Sequence, residues 1–299
     1  MVTLAEGYHG TTLGALAAAG AAFRRHGAGP LPAGFEPVAA APAVDPSRPS
    51  TMRDLIPSPE RIADRICALG PEQIAAVLLE PVLSIGGVLP LPPGYLRQIR
   101  GICDEYGALL ILDEIATGFA RTGAMFAFEH DGVVPDLVTT GKHLTGGYLP
   151  LAAVTTTQAV YEAFADDPLL GGLRHGHTTS GHATACAAAL AVLGVICDQG
   201  LDARAADLGA ALLSGLEELR RHAVVRDVRG RGLMAGVELP DPGTAARVAA
   251  RCADAGVLVR VTGRVVAITP PLTITADQVA QICAAMDTAC TLNTAEAPA

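Results

Sequence analysis

The sequence predicts an α/β protein: a mainly parallel sheet flanked by helices over residues 1–205, then a smaller C-terminal α+β domain over residues 206–299. Three observations point there. Short apolar runs alternate with longer helix-like stretches closed by glycine, the pattern of βαβ units. Half of the 299 residues are hydrophobic but only 4% are aromatic, so the core must be built from Ala, Val, Leu and Ile, which suits helices on a sheet. After the helix-like stretch of residues 183–196 the texture changes, and strands fall in pairs around glycines.

Taken in order, residues 30–60 carry Pro30, Pro32, Pro37, Pro42, Pro46, Pro49, Pro57 and Pro59 and read as an irregular connection. Ser58 is placed to cap a helix running to Leu69, stopped by Gly70 and Pro71. Ile74 to Val82 has the continuous apolar character of a strand buried on both faces. A helix from Gly94 to Tyr106, closed by Gly107, leads to a second buried strand, Ala108 to Leu112. Leu137 to Thr140 and Leu151 to Thr155 supply two more. In the smaller domain, Val224 to Leu239 reads as two short strands around Gly230 and Gly232. A helix (Thr244 to Ala255), two strands (Val257 to Val261, Val265 to Thr269) and a final helix (Ala276 to about Thr291) complete it. No internal repeat is visible.

Bulk properties narrow the function. The net charge is −9 and no stretch collects five basic residues, which argues against a nucleic acid or an anionic membrane as partner. A phosphorylated small molecule stays compatible, because backbone N–H groups can hold a phosphate on an acidic protein. The longest apolar stretch, Ala183 to Cys197, is too short to be a good membrane span. Met1 to Glu6 lacks the basic and apolar regions of a signal peptide. Seven scattered cysteines with no Cys-x-x-Cys pair read as structural thiols of a reducing compartment, so a cytoplasmic location is expected.

In parallel sheets ligands collect beyond the carboxyl ends of the strands, and Asp113 and Lys142 both sit directly after one. A strand-end carboxylate alone is most often structural. A strand-end lysine is less easily explained, because a desolvated ammonium is costly unless it is used. Burial also makes its free amine a better nucleophile, and an imine needs no positive charge. An aspartate beside it suits a cofactor whose ring nitrogen must stay protonated.

Asp113-Glu114-Ile115-Ala116-Thr117-Gly118-Phe119-Ala120-Arg121-Thr122-Gly123, Pro135-Asp136-Leu137 and Gly141-Lys142-x-Leu144-Thr145-Gly146-Gly147-Tyr148 closely resemble the signature of class III aminotransferases. Tyr8-His9-Gly10, Glu80-Pro81, His175 to His182, Val228 to Met234 and Pro270-Pro271-Leu272 agree in family order, so the resemblance runs from about residue 7 to 285. It implies a pyridoxal-phosphate-dependent transferase of fold type I. Lys142 then carries the cofactor as an imine and moves a proton, while Asp113 pairs with the pyridine nitrogen. Tyr8, with His9, belongs to the cofactor-binding set, its ring lying on the cofactor with Ile115 on the opposite face. Thr178 resembles the threonine that reaches the phosphate of a neighbouring subunit's cofactor, which implies a homodimer with its active site at the interface.

The implied substrates are a primary amine or ω-amino acid and a keto-acid or aldehyde acceptor. Arg260 matches in position an arginine that diaminopelargonate aminotransferases use for a distal carboxylate. Ala116 and Ala267 stand where ornithine-type members carry a glutamine and an arginine, and Thr178-x-Ser180-Gly181-His182 is nearer the ω-amine enzymes. In the family a glycine-serine-glutamate loop ahead of Tyr-His-Gly supplies most of the phosphate cup. Tyr8 is nearly at the start here, so the cup is expected to be lost or supplied by another chain, and cofactor affinity of this chain alone to be poor. An aminomutase, racemase or decarboxylase on the same scaffold, and a non-catalytic dimerising remnant, are the alternative readings.

Other conspicuous residues read as carrying no chemistry. His175, His177 and His182 lack a carboxylate or cysteine to complete a metal set, and no metal is expected. Arg229-Gly230-Arg231-Gly232 reads as a tight turn with solvated charges, and Arg121 as a loop tie. Glu80 stands evenly between a structural and a cofactor-proximal carboxylate.

Overall fold

The computed structural model describes residues 1–20, 22–41 and 51–295, so residues 42–50 of the proline-rich connection lie outside the described residues. Eight strands come first: β1 (Val2–Leu4), β2 (Glu36–Val38), β3 (Ala76–Leu79), β4 (Val82–Leu83), β5 (Leu89–Pro90), β6 (Leu109–Asp113), β7 (Leu137–Thr140) and β8 (Ala153–Thr156). Six of them form one sheet in the order β2-β1-β3-β6-β7-β8. Every pairing is parallel except β7 with β8. The small hairpin β4–β5 stands apart, because the chain leaves the main sheet at Glu80-Pro81. The expected strand of residues 74–82 is therefore shorter in the sheet.

Helices α1 (Leu13–Ala18) and α2 (Ala22–Arg25) lie between β1 and β2, and α3 (Pro59–Leu69) and α4 (Tyr95–Tyr106) flank β3 and β6. Pro59 opens α3, and Gly70 ends it at φ 91. Ser58 occupies the cap position, but its hydroxyl bonds to the Glu60 side chain rather than to a backbone N–H. Ile62 and Ile66 of α3 and Leu96, Ile99 and Cys103 of α4 pack on Val77, Leu79, Leu110 and Leu112 of the sheet. Burying each such aliphatic side chain contributes about 1.5–3 kcal/mol. This cover thins along the sheet. All of β3 is buried, whereas all four residues of the edge strand β8 are exposed.

The short helix α5 (Gln158–Glu162) precedes α6 (Ala183–Asp198) and α7 (Leu201–Glu217), which meet at a bend of 64°. Among the described residues no single helix is long and apolar enough to cross a membrane. The second sheet is antiparallel, β11-β12-β10-β9, built from β9 (Asp227–Arg231), β10 (Met234–Glu238), β11 (Arg260–Thr262) and β12 (Val265–Ile268). Helices α8 (Pro242–Asp254) and α9 (Ala276–Ala295) pack with α7 around Leu212, Leu216, Val237, Val248, Val266 and Met286. Asp241 caps α8, accepting from the Thr244 N–H at 2.9 Å, with Pro242 as the first helical residue.

Arg229 corrects an expectation. Its side chain is not solvated but fully buried, facing Asp227 and Glu238. Two carboxylates and nearby backbone carbonyls offset the cost of taking the guanidinium out of water.

Candidate active site

The parallel order brings the carboxyl ends of β3, β6 and β7 side by side, and each delivers one polar residue to the same edge. Asp113 ends β6 and is 5% exposed. Its Oδ1 accepts the Ile115 N–H at 3.1 Å, and its Oδ2 lies 2.8 Å from His9 Nδ1. His9 follows β1, which lies beyond β3 from β6, so a residue from a strand two places away orients the carboxylate. Glu80 follows β3 and is buried, accepting from the Tyr8 N–H at 2.8 Å and from the Ser84 N–H and hydroxyl at 3.2 and 3.1 Å. Burial pushes its carboxyl up to about 7, against the pull of His9 and with the push of Asp113.

Lys142 follows β7 through Gly141 and takes a left-handed backbone at φ 43. A non-glycine residue there costs about 1–3 kcal/mol, a local strain that the surrounding fold has to hold. Burial lowers the pKa of its amine. Arg260 works in the same direction, while Glu80 and Asp113 oppose it. A more neutral amine suits nucleophilic attack on a carbonyl.

Lys142 opens onto two cavities. The smaller, about 170 Å³, is bounded by Ser84, Val88, Ala116, Met234, Arg260 and Ala267, so the second sheet forms its far wall. The larger, about 1020 Å³, runs along Gly146, Tyr148, Val192, Ile196 and Leu272 and is mainly apolar. Arg121 and His143 line both. Arg121 donates to the carbonyls of Leu233 and Pro270, tying its loop to the second sheet as expected. Burial, Arg121 and Lys142 lower His143 to about 4, which leaves its imidazole neutral near pH 7.

The structure thus gathers Tyr8, His9, Asp113, Ile115, Lys142 and Arg260 around one edge. Ile115 lies beside Gly141, its Cγ1 within 3.8 Å of where a β-carbon would stand. The Tyr8 ring lies under the Arg24 guanidinium, 4.7 Å from it. Thr178 is exposed in the loop before α6 and lines neither cavity. His182 caps α6, its Nδ1 accepting from the Ala185 N–H at 3.3 Å. Sequence reasoning passed over His143, although its place next to Lys142 was a usable signal. It also left Glu80 open, although Glu80 obeys the strand-end rule that picked out Asp113.

The residues present suit pyridoxal phosphate. A buried carboxylate fixed from two sides matches a protonated ring nitrogen, and a desolvated amine beside it matches an aldehyde carbon. Comparison with known proteins agrees. The family description "Aminotransferase class-III" matches residues 1–290. An uncharacterized aminotransferase of Bacillus subtilis (strain 168), YhxA, is 40% identical over 292 residues, covering 92% of this chain and 64% of that protein. The chain thus spans somewhat under two thirds of this relative's length. An aminotransferase structure from Bacillus anthracis superposes with a TM-score of 0.89 at 32% identity, over 97% of this chain and 69% of that one. An amine transaminase from an uncultivated Pseudomonas species, solved in its pyridoxal-phosphate-bound form, gives 0.89 at 36% identity over the same shares. With its strand-end Asp113 and Lys142 on a fold-type-I sheet, the chain belongs to the class III aminotransferases, a family that depends on pyridoxal phosphate.

Proposed function

We propose that this chain serves transfer of an amino group from a primary amine or ω-amino acid to a keto-acid or aldehyde acceptor. The observation that carries the reading is the placement of buried Asp113 and Lys142 at adjacent strand ends, His9 and Ile115 fixing the carboxylate. Pyridoxal phosphate, when bound, supplies the electron sink that stabilises a carbanion at the amino-bearing carbon. Asp113 would hold the cofactor at its ring nitrogen and keep that nitrogen protonated. Lys142 Nζ would hold it at its aldehyde carbon, and as a free amine would move the proton at the amino-bearing carbon of the substrate. Tyr8 and Ile115 would hold the ring between them and limit the entry of water. Arg260 faces a carboxylate on the substrate, with the apolar wall of Val88, Ala116 and Met234 taking its carbon chain.

Thr178, exposed and ahead of α6, is free to serve a second copy's phosphate, which supports a homodimer with shared sites. Residues 1–205 and 206–299 act in this reading as cofactor-binding and smaller domains. Free thiols at Cys67, Cys103, Cys186, Cys197, Cys252 and Cys283 fit a cytoplasmic setting.

Borohydride reduction after incubation with pyridoxal phosphate tests the assignment. Lys142 is the only lysine in the sequence, so a pyridoxyl mass on its peptide, absent from Lys142→Ala, is expected; a label on the Met1 amine alone, or none at Lys142, would overturn it. With a single amine and no acceptor, a transaminase stops after one half-reaction, whereas a decarboxylase or racemase continues.

A further inference from the structure

One fully buried charged side chain has no part in that reading. Arg229 lies on β9, and its guanidinium divides its donors between two tasks. Nη1 faces Asp227 Oδ2 at 3.0 Å and Glu238 Oε2 at 2.5 Å. Nε donates to the carbonyls of Gly87 and Val88, both at 3.1 Å, and Nη2 to the Gly87 carbonyl at 2.8 Å. The two carboxylates do not depend on Arg229 alone. Asp227 also pairs with Arg53 at 2.7 Å and Arg220 at 2.9 Å, and Glu238 with Arg264 at 2.8 Å and the Met52 N–H at 3.1 Å. What Arg229 supplies by itself is the fork on the two carbonyls.

Those carbonyls belong to a strained turn. Gly87 and Val88 both have left-handed backbones, φ 103 and φ 52, and a β-branched residue strongly disfavours that region. The only other backbone restraint described on Val88 is its own N–H, which donates to the Ser84 carbonyl at 3.2 Å. The side chain this conformation directs inward is 1% exposed, packs with Val82, Met234 and Ala267, and walls the small cavity opposite Lys142 and Arg260.

We propose that Arg229 is a positioning residue: by holding the Gly87–Val88 turn left-handed it fixes the Val88 wall, and so the width of the cavity that receives the substituent of the amine. The proposal rests on the reading that this cavity takes the substrate. A lysine keeps the charge but has three donors and no planar fork, too few for two carboxylates and two carbonyls at once. Glycine accepts a positive φ at no steric cost, so the two positions form a coupled pair.

Hydrogen exchange of residues 84–90, referenced to β6, decides the matter in the full chain. Arg229→Lys is expected to speed exchange of 84–90 about tenfold with β6 unchanged, and Val88→Gly/Arg229→Lys to return within about threefold of Val88→Gly. Unchanged exchange at 84–90, or equal acceleration in β6, overturns the proposal. Should Arg229→Lys fail to fold, the double variant must recover folded protein; if it does not while Val88→Gly folds, the proposal also falls. In turnover, Arg229→Lys should change KM for a branched primary amine several-fold and leave kcat for a linear one near its original value. Absence of turnover in the unaltered chain counts against the amino-transfer reading, and the exchange result then stands alone on this one.

Discussion

His9 Nδ1 stands 2.8 Å from Asp113 Oδ2, and both side chains are almost sealed from solvent, at 4% and 6% exposure. The imidazole's other nitrogen, Nε2, is buried without a hydrogen-bond partner among the described residues, so the ring's polar contact is spent on the carboxylate. Asp113 is thereby clamped between a ring nitrogen and the Ile115 N–H. A carboxylate that must point at one cofactor atom gains from such a clamp. His9→Ala should weaken pyridoxal phosphate binding by about 10–100-fold, taking the scale known for removing the hydrogen-bonded partner that orients a metal-ligating side chain. Asp113→Asn should weaken it further, because the charge itself is lost. Titrating the cofactor against absorbance checks both; His9→Ala binding as tightly as the unaltered chain would show that the clamp is only structural.

Glu80 gives a pH prediction with a definite sign. Its carboxyl titrates near 4.5 in the unfolded chain and about 7 in the folded one, because it is buried. Between those values the folded state keeps a proton that the unfolded state has released, so stability falls as pH rises through the window. Below 4.5 both states are protonated, and above 7 the penalty levels off at about 3 kcal/mol, taking about 1.4 kcal/mol per pKa unit. Glu114, also buried and raised to about 7, adds a slope of the same sign. Glu80→Gln should therefore flatten, without abolishing, the decline in denaturation midpoint between pH 4.5 and 7. An unaltered decline would mean that the carboxyl is not desolvated as described.

Much of the site was legible because strand-end chemistry is local. Asp113 and Lys142 each follow an apolar run, and their flanking residues carry the family pattern. The partners of those residues were not legible, since the His9–Asp113 contact joins positions 104 apart and no periodicity encodes it. β1 and β2 escaped notice because three residues are too few to show alternation. Arginine is rarely buried, so two arginines spaced by glycines read as solvated, and only the folded chain brings Gly87 and Val88 against Arg229. The antiparallel setting of β8 was likewise invisible, because composition does not report strand direction.

The packing between the two sheets predicts one severe stability loss. Gly232 turns β9 into β10 at φ 54, and a β-carbon there would lie 2.4 Å from the Thr122 backbone. On its other side α7 approaches so closely that a β-carbon on Gly209 would lie 2.4 Å from Gly232. Neither neighbour is a flexible side chain. Gly232→Ala should cost more than about 2 kcal/mol and lower the thermal midpoint by several degrees. Gly263→Ala, at a similar φ of 56 with open space around it, is the matched control and should cost only the backbone strain. Equal losses in the two variants would contradict the close packing of α7, β9 and the Thr122 loop.

Lys142 and Arg260 offer a test of the site's electrostatics that does not need turnover. Burial lowers the lysine's pKa and Arg260 lowers it further, against Glu80 and Asp113. Removing the guanidinium removes a like charge, so Lys142 should hold its proton to higher pH in Arg260→Gln, and less free amine is available at any pH below the midpoint. The rate at which Lys142 is labelled by an amine-reactive reagent, followed by mass spectrometry across pH, should then shift its midpoint upward. Arg260→Lys keeps the charge and should leave the midpoint close to its original position. Arg260 is exposed, so added salt screens it, and the difference between Arg260→Gln and the unaltered chain should shrink as ionic strength rises. If the midpoint does not move in Arg260→Gln at low salt, Arg260 does not face Lys142 across the cavity, and its assignment to the substrate carboxylate fails with it.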